Sequence, residues 1–390
     1  MRKSFCSLIS FLLFSLLACG ATPAHWYVAP TGNDANDGSK RKPLKTIANA
    51  LQRVNPGDTV FLREGSYGEF VVPTRSGKPG KMITLKSYPG EIAKIDGSDL
   101  YIKGWGNALV QVNNIDYMQF ENLHICHAHD SENNTDPEGV YITGTSGNIT
   151  FRGCKVYDIK NDCPLVDAKG DWRSAHAILV LGTDDNTPIR NLLIEKCEIF
   201  EIHSGTSEAF TLAGNVVDFT IQDNEVHDVE NIGIIIAGGD NLNPKGDISV
   251  NYARNGVVRR NKVYRCTHEK SQDYWSQSVS NGGAIGIYLC GNGNTIVEQN
   301  EVFECDRGIG LCSESYKLQT KVLLGYMILI MAVCGMVSIL LYERSRMREI
   351  KTETSEIRRI RHDISTAHRY ITELATYGES VIVWEDTDFR

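Results

Sequence analysis

A short apolar pattern, alternating along its length and closed by glycine, recurs through this chain at residues 140–144, 178–182, 210–214, 234–238 and 287–291. A variant at 309–313 ends in serine. A second apolar segment follows each of the first five, centred on Phe151, Ile194, Ile221, Val258 and Val297, and Phe120 opens that second series. The connections differ in length, so one structural unit is reused with different loops rather than copied in tandem. A single short β unit has nothing against which to bury its apolar face, and stacking further units supplies that surface. The pattern therefore specifies a solenoid, in which a residue's neighbours lie one rung away rather than one position along the chain.

Within each unit the alternation points Val140 and Ile142, Ile178 and Val180, Phe210 and Leu212, Ile234 and Ile236, and Ile287 and Leu289 inward. Tyr141, Leu179, Thr211, Ile235 and Tyr288 face outward. A small residue (Gly139, Ala177, Ala209, Gly233 or Gly286) precedes each segment and a glycine follows it, which suits the corners of a coil. Asn224, Asn261 and Asn300 continue a column begun by Cys154 and Cys197, and an asparagine ladder satisfies buried backbone groups rung after rung. The Asn-Gly turns of an antiparallel sandwich do not recur systematically. The expected fold class is all-β, a parallel β-helix, with the right hand that parallel connections adopt.

The rest of the chain divides around this coil. Residues 1–24 read as a secretory signal, with a basic start, an apolar run and small residues before His25. The stretch ending at Ala18-Cys19 also fits a lipobox, in which Cys19 would carry lipid. Residues 25–100 are assigned to an N-terminal cap and first strands, and 101–316 to the β-helix. The uncharged run 322–342, within a segment 321–342, is long enough to span a bilayer as a helix. Arg344, Arg346, Arg348 and Lys351 then place residues 343–390 in the cytoplasm. The expectation is an exported, membrane-anchored protein with a cytoplasmic C-terminus. A net charge of −8 opposes nucleic acid as a partner. Three pairs of the eleven cysteines, Cys154/Cys197, Cys266/Cys305 and Cys290/Cys312, fall on successive rungs. In-register side chains run parallel there, which favours buried thiol fillers over disulfides.

Ahead of the coil, Trp26-Tyr27-Val28-Ala29-Pro30-Thr31-Gly32 leads into an Asn/Asp/Gly-rich turn and then a short amphipathic helix, with Ile47, Leu51 and Val54 on one face. Such a helix can cover the open end of a solenoid. This stretch resembles the N-terminal cap of secreted bacterial right-handed β-helix proteins, the group that includes pectate lyases, and the resemblance extends over residues 26–314. It implies a polysaccharide substrate outside the cytoplasm.

In the register above, the position before the small residue reads Glu138, His176, Glu208, Ile232, Ile285 and Arg307. The first three place an imidazole between two carboxylates on consecutive rungs, with the glutamates about 10 Å apart. A histidine so placed has a raised pKa and suits general acid work, and the carboxylate separation approaches that of an inverting glycosidase. A second column stacks Asp158, Glu201 and Asp228, with Glu230 just beyond. Stacked carboxylates repel unless they splay apart or share a cation, and oxygen-rich sets suit calcium. Residues 207–210, with 228–233 one rung on, resemble the calcium-binding rungs of family nine polysaccharide lyases. That resemblance implies calcium at Glu201, Glu208, Asp228 and Glu230, and a lysine base on a following rung. The matching strand, 284–289, has no lysine, so Arg307, Lys270 or Tyr288 would have to substitute. Tyr141, Trp172, Trp275 and Tyr288 are the candidate sugar-stacking rings.

Beyond the apolar run, isoleucines at heptad spacing over 350–374 form a seam fit for a homodimer. Within it Ile360-Arg361-His362-Asp363-Ile364 resembles the phosphoacceptor box of sensor histidine kinases, which nominates His362. Two functions follow from the whole: an extracytoplasmic polysaccharide-processing β-helix protein, lyase-like or glycosidase-like, or a membrane-tethered carbohydrate-binding sensor with no catalysis of its own.

Overall fold

A strand that aims Val140 and Ile142 to one side can bury them only against other rungs, and the chain coils accordingly. In the computed structural model, residues 24–102, 106–130, 135–163, 173–268, 283–312 and 381–382 are described. They form one nine-stranded and two eight-stranded sheets, parallel throughout except for the pairing of Val381–Ile382 with Arg307–Cys312. The first sheet runs from His25–Val28 to Ile296–Glu298 and the second from Gly65–Tyr67 to Glu301–Phe303; the third begins at Val110–Asn113. Each turn of the coil visits the three in order.

The register is the one read from the repeats. Val140, Ile178, Phe210, Ile234, Ile287 and Ile309 pair in succession on the third sheet. Phe120, Phe151, Ile194, Ile221, Val258 and Val297 do so on the first. Their side chains fill one continuous core, in which the Phe120 and Phe151 rings stack 4.4 Å apart. The asparagine column also forms. Asn224 Nδ2 donates to Asn261 Oδ1 (2.9 Å) and to the Ile194 carbonyl (3.0 Å), and Asn261 Nδ2 donates to Asn300 Oδ1 (2.9 Å) and to the Ile221 carbonyl (3.0 Å). At the start of the series Asn224 Oδ1 accepts from the Cys197 backbone amide. Cys154 and Cys197 are free thiols at that end, as the parallel geometry favours.

Three features differ from the sequence expectation. Gly139 lies inside the strand Glu138–Thr143 rather than at a corner; a Cβ there would sit 2.7 Å from both the Ala177 carbonyl and Val156, so close packing requires the glycine. The corner glycine is Gly144, with φ +68°. Second, the strands of the second sheet bend at one left-handed residue per rung: His127, Asp158, Glu201, Asp228 and Arg265, with φ between 53° and 60°. Third, the outward residues of the third sheet are not solvated. Leu179, Thr211, Ile235 and Tyr288 are buried, all but Thr211 in a second apolar cluster that Leu242 joins from a loop.

At the N-terminal end the helix Ile47–Arg53 buries Ile47, Ala50 and Leu51, with Val54 buried at its C-cap. Thr46 caps it, and the Glu69 carboxylate accepts from the Ile47 and Ala48 amides (2.8 and 3.0 Å). The signal segment with Cys19, the apolar run 322–342, the heptad seam 350–374 and His362 all lie outside the described residues. Among the described residues no helix is long and apolar enough to cross a membrane.

If the asparagine ladder carries the coil, Asn261→Ala should destabilise it by about 2–4 kcal/mol, because the Ile221 carbonyl and the Asn224 amide lose their partner inside the core. Chemical denaturation of the two proteins measures this.

Candidate active site

The third sheet aligns Glu138 with His176, and the same register carries Glu208 onto the next rung. A residue that the sequence reading passed over completes the cluster: Asp136, just before Glu138. Its Oδ1 lies 2.9 Å from His176 Nδ1, while His176 Nε2 faces Glu208 Oε2 at 3.6 Å. Thr211 Oγ1 donates to the same Glu208 oxygen (3.0 Å). The Gly106 amide donates to Glu138 Oε1 (3.1 Å). Asp136 and Glu138 are fully buried, His176 is 3 % exposed, and Glu208 alone keeps appreciable side-chain access at 19 %.

Burial, reinforced by the nearby Asp136 charge, pushes the Glu138 carboxyl up to about 8. It is therefore a protonated acid at neutral pH. Burial opposes charge on His176, but Asp136 and Glu208 outweigh it and raise the imidazole to about 10, so the ring is an imidazolium. Asp136 Oδ2 and Glu138 Oε2 are buried with no hydrogen-bond partner among the described residues. The site thus brings a protonated carboxyl and an imidazolium together with two further acidic side chains on successive rungs.

Burial separates this column from an ordinary charge ladder. On the first sheet Lys86, Glu121, Arg152 and Glu195 also alternate in sign on successive rungs, with Lys86–Glu121 at 2.8 Å and Arg152–Glu121 at 3.0 Å. That ladder lies partly in water: the Arg152 side chain is 39 % exposed, against 4 % for His176. Exposed pairs of this kind contribute little, whereas a buried set of ionisable groups needs another reason to be there.

The other nominated residues are placed elsewhere. Arg307 faces Ile285 three rungs beyond Glu208, about 14 Å along the coil, so it does not join the trio. Tyr288 packs in the apolar cluster, and half-buried Tyr141 lies against that cluster with its ring near Gly106. Trp172, Lys270 and Trp275 lie outside the described residues.

The four residues nominated for calcium do not converge. Glu201 is exposed at a bend, and Asp228 is held by Arg265 (2.6 and 2.8 Å) and by His227 (2.7 Å). Glu230 is buried and taken up by Arg173 (2.8 Å) and the Gly205 amide (3.0 Å), while Glu208 faces His176. In the same column Asp158 is paired with His129 (2.9 Å) and Lys160 (3.0 Å). Lys160, Arg173 and Arg265 take up Asp158, Glu230 and Asp228, and Glu208 faces His176, so this donor set does not fit calcium, and no step is assigned to that ion.

With this geometry in place, the comparisons fall into line. Residues 26–214 match a family model described as "Pel9A-like, right handed beta helix region", and residues 138–321 match one described as "Right handed beta helix region". The chain is a right-handed parallel β-helix protein. Its sequence likeness is to β-helix regions of the polysaccharide lyase type. The uncharacterized protein YwoF of Bacillus subtilis is 32 % identical over 289 residues, 74 % of this chain and 58 % of YwoF. Pectate lyase PEL9 of Emericella nidulans is 27 % identical over 150 residues, 36 % of this chain and 35 % of that enzyme. The solved structure of GH136 lacto-N-biosidase from Eubacterium ramulus superposes with a TM-score of 0.52 at 16 % identity, covering 71 % of this chain and 55 % of that one. At that identity the likeness concerns the fold. The chain therefore spans little more than half the length of these relatives, or less.

The raised Glu138 and His176 give a pH signature. Each binds its proton more tightly folded than unfolded, so each stabilises the fold fully below its unfolded value and loses that contribution as pH rises through its folded value. For Glu138 the loss falls between 4.5 and about 8. For His176 it falls between 6.5 and about 10. The melting temperature should decline from pH 6 to pH 9, and Glu138→Gln should flatten the lower part of that decline; calorimetry across pH is the measurement.

Proposed function

We propose that this protein is a carbohydrate-active enzyme that cleaves a polysaccharide at the Asp136–Glu138–His176–Glu208 cluster, by glycosidase-type acid–base chemistry. The observation that carries this reading is the unequal setting of the two glutamates on alternate rungs, Glu138 buried with its carboxyl raised to about 8 and Glu208 partly exposed beside His176. Two carboxyls whose surroundings set them apart in this way divide the roles of acid and base. Glu138 holds the proton destined for the leaving oxygen. Glu208, the accessible member, activates water. His176, fixed by Asp136, orients Glu208 and balances its charge. Glu138 is fully buried in this conformation, with the Gly106 amide on its Oε1, so its proton reaches a substrate only when the carboxyl becomes accessible.

A lyase reading stands second, favoured by the likeness to pectate lyases. Against it, the site has one cation among three acidic residues and would repel an acidic polymer. The setting that goes with either reading is an exported β-helix held to the membrane through 322–342 and dimerised through 350–374. A binding-only sensor is the outcome if sugar binds without turnover.

The test is incubation of the purified chain with neutral and acidic polysaccharides. New reducing ends without ultraviolet absorbance from an unsaturated uronate support the hydrolase, and that absorbance supports the lyase; binding with neither product sinks the enzyme reading. Glu208→Gln should lower turnover about 10²–10⁴-fold while the chain still folds cooperatively.

A further inference from the structure

Outside the third sheet, one side-chain group among the described residues brings a thiol, an imidazole and a carboxylate together at metal-ligand spacing. On the outer face of the second sheet a column of rings, Tyr157, Phe200, His227, Tyr264 and Phe303, stacks at 4.8–5.3 Å. Towards the N-terminus that column changes character: Tyr157 pairs with Cys126, and Cys126 pairs with Asp96. The next residue, His127, takes the left-handed conformation (φ 60°). Adjacent strand residues ordinarily point to opposite faces. The bend brings the His127 ring to the same group instead, and one ligand atom each of Asp96, Cys126 and His127 lie within 4.8 Å of one another.

The surroundings are those of a built site. His127 Nδ1 lies 2.8 Å from Asp96 Oδ1, and that oxygen also accepts from the Ser98 hydroxyl (2.6 Å) and amide (3.1 Å). The other ring nitrogen, Nε2, faces Asp158 Oδ2 at 3.7 Å, and Asp158 is fixed by His129 and Lys160. Without metal, Nδ1 donates its proton to Asp96 Oδ1, so an ion bound between these two atoms replaces that proton, and Asp158 stands beside the far nitrogen as the carboxylate that would then hold the ring. Cys126 is fully buried, while Asp96 and His127 keep 17 % and 30 % side-chain exposure, which gives an ion a way in.

We propose that Asp96, Cys126 and His127 bind a single transition-metal ion of the zinc class, with Asp158 and Ser98 as its supporting shell. The donor set selects the metal: thiolate with imidazole prefers a borderline-soft divalent ion, and one thiolate among three ligands disfavours calcium and magnesium. Three protein ligands leave the fourth position to water. The site is independent of the acid–base cluster.

Cobalt(II) is the probe. Titrated into the chelator-stripped, purified full chain, it should bind one equivalent and give the near-ultraviolet charge-transfer band of a thiolate–cobalt bond, which zinc then displaces. Cys126→Ser should abolish the band. Because Cys126 is buried and its variant can misfold, His127→Ala and Asp96→Asn provide the second test; each should weaken cobalt binding at least about tenfold, and Asp158→Asn by about tenfold. Glu208→Gln should leave cobalt binding unchanged. The proposal is overturned if no stoichiometric ion binds, if the band survives Cys126→Ser, or if His127→Ala and Asp96→Asn bind cobalt as the parent does.

Discussion

The structure depends on one constraint: every rung lies in register on the next, about 4.8 Å away, so each column must tolerate its own repetition. Apolar columns do so readily, which is why Val140, Ile178, Phe210, Ile234 and Ile287 can follow one another without a break. Asparagine does so because its amide both donates and accepts, and each side chain serves the next and the backbone behind it. Charge does not repeat. Where carboxylates recur, the coil interleaves cations, as in Lys86–Glu121–Arg152–Glu195, or brings them in from the side, as Arg265 does for Asp228.

That constraint also decides what could be read from sequence. Register, core columns and the asparagine ladder follow from residue type and spacing alone, and so did the alignment of Glu138, His176 and Glu208. The bends did not. A left-handed residue is signalled by asparagine at Asn148 or Asn191, yet on the second sheet His127, Glu201 and Arg265 take that conformation with no compositional cue. The acidic column then looked like a cation site, because reading down a column hides partners such as Lys160 and His227, which reach it from neighbouring positions. Asp136 escaped for a related reason. It lies two residues outside the repeating pattern, in the approach to the strand, and only the folded chain brings it 2.9 Å from His176. Its signal was present in the spacing Asp136-Pro137-Glu138, two acids bracketing a proline at a strand entry.

The same logic weighs the candidate site against a structural explanation. A charge ladder that only decorates a surface costs little, since water solvates both signs. Asp136, Glu138 and His176 are withdrawn from water, and two of their carboxylate oxygens have no protein partner among the described residues. Burying such a group is unfavourable relative to an apolar set of equal volume, and the neighbouring rungs show that the column accepts one, with Ile232 and Ile285 in the following positions. Stability alone would have continued the isoleucines through residues 138, 176 and 208. A protonated Glu138, an imidazolium and the partly exposed Glu208 stand there instead, and that choice makes sense if the cluster exchanges protons with a ligand. The coil supplies rigidity along the column.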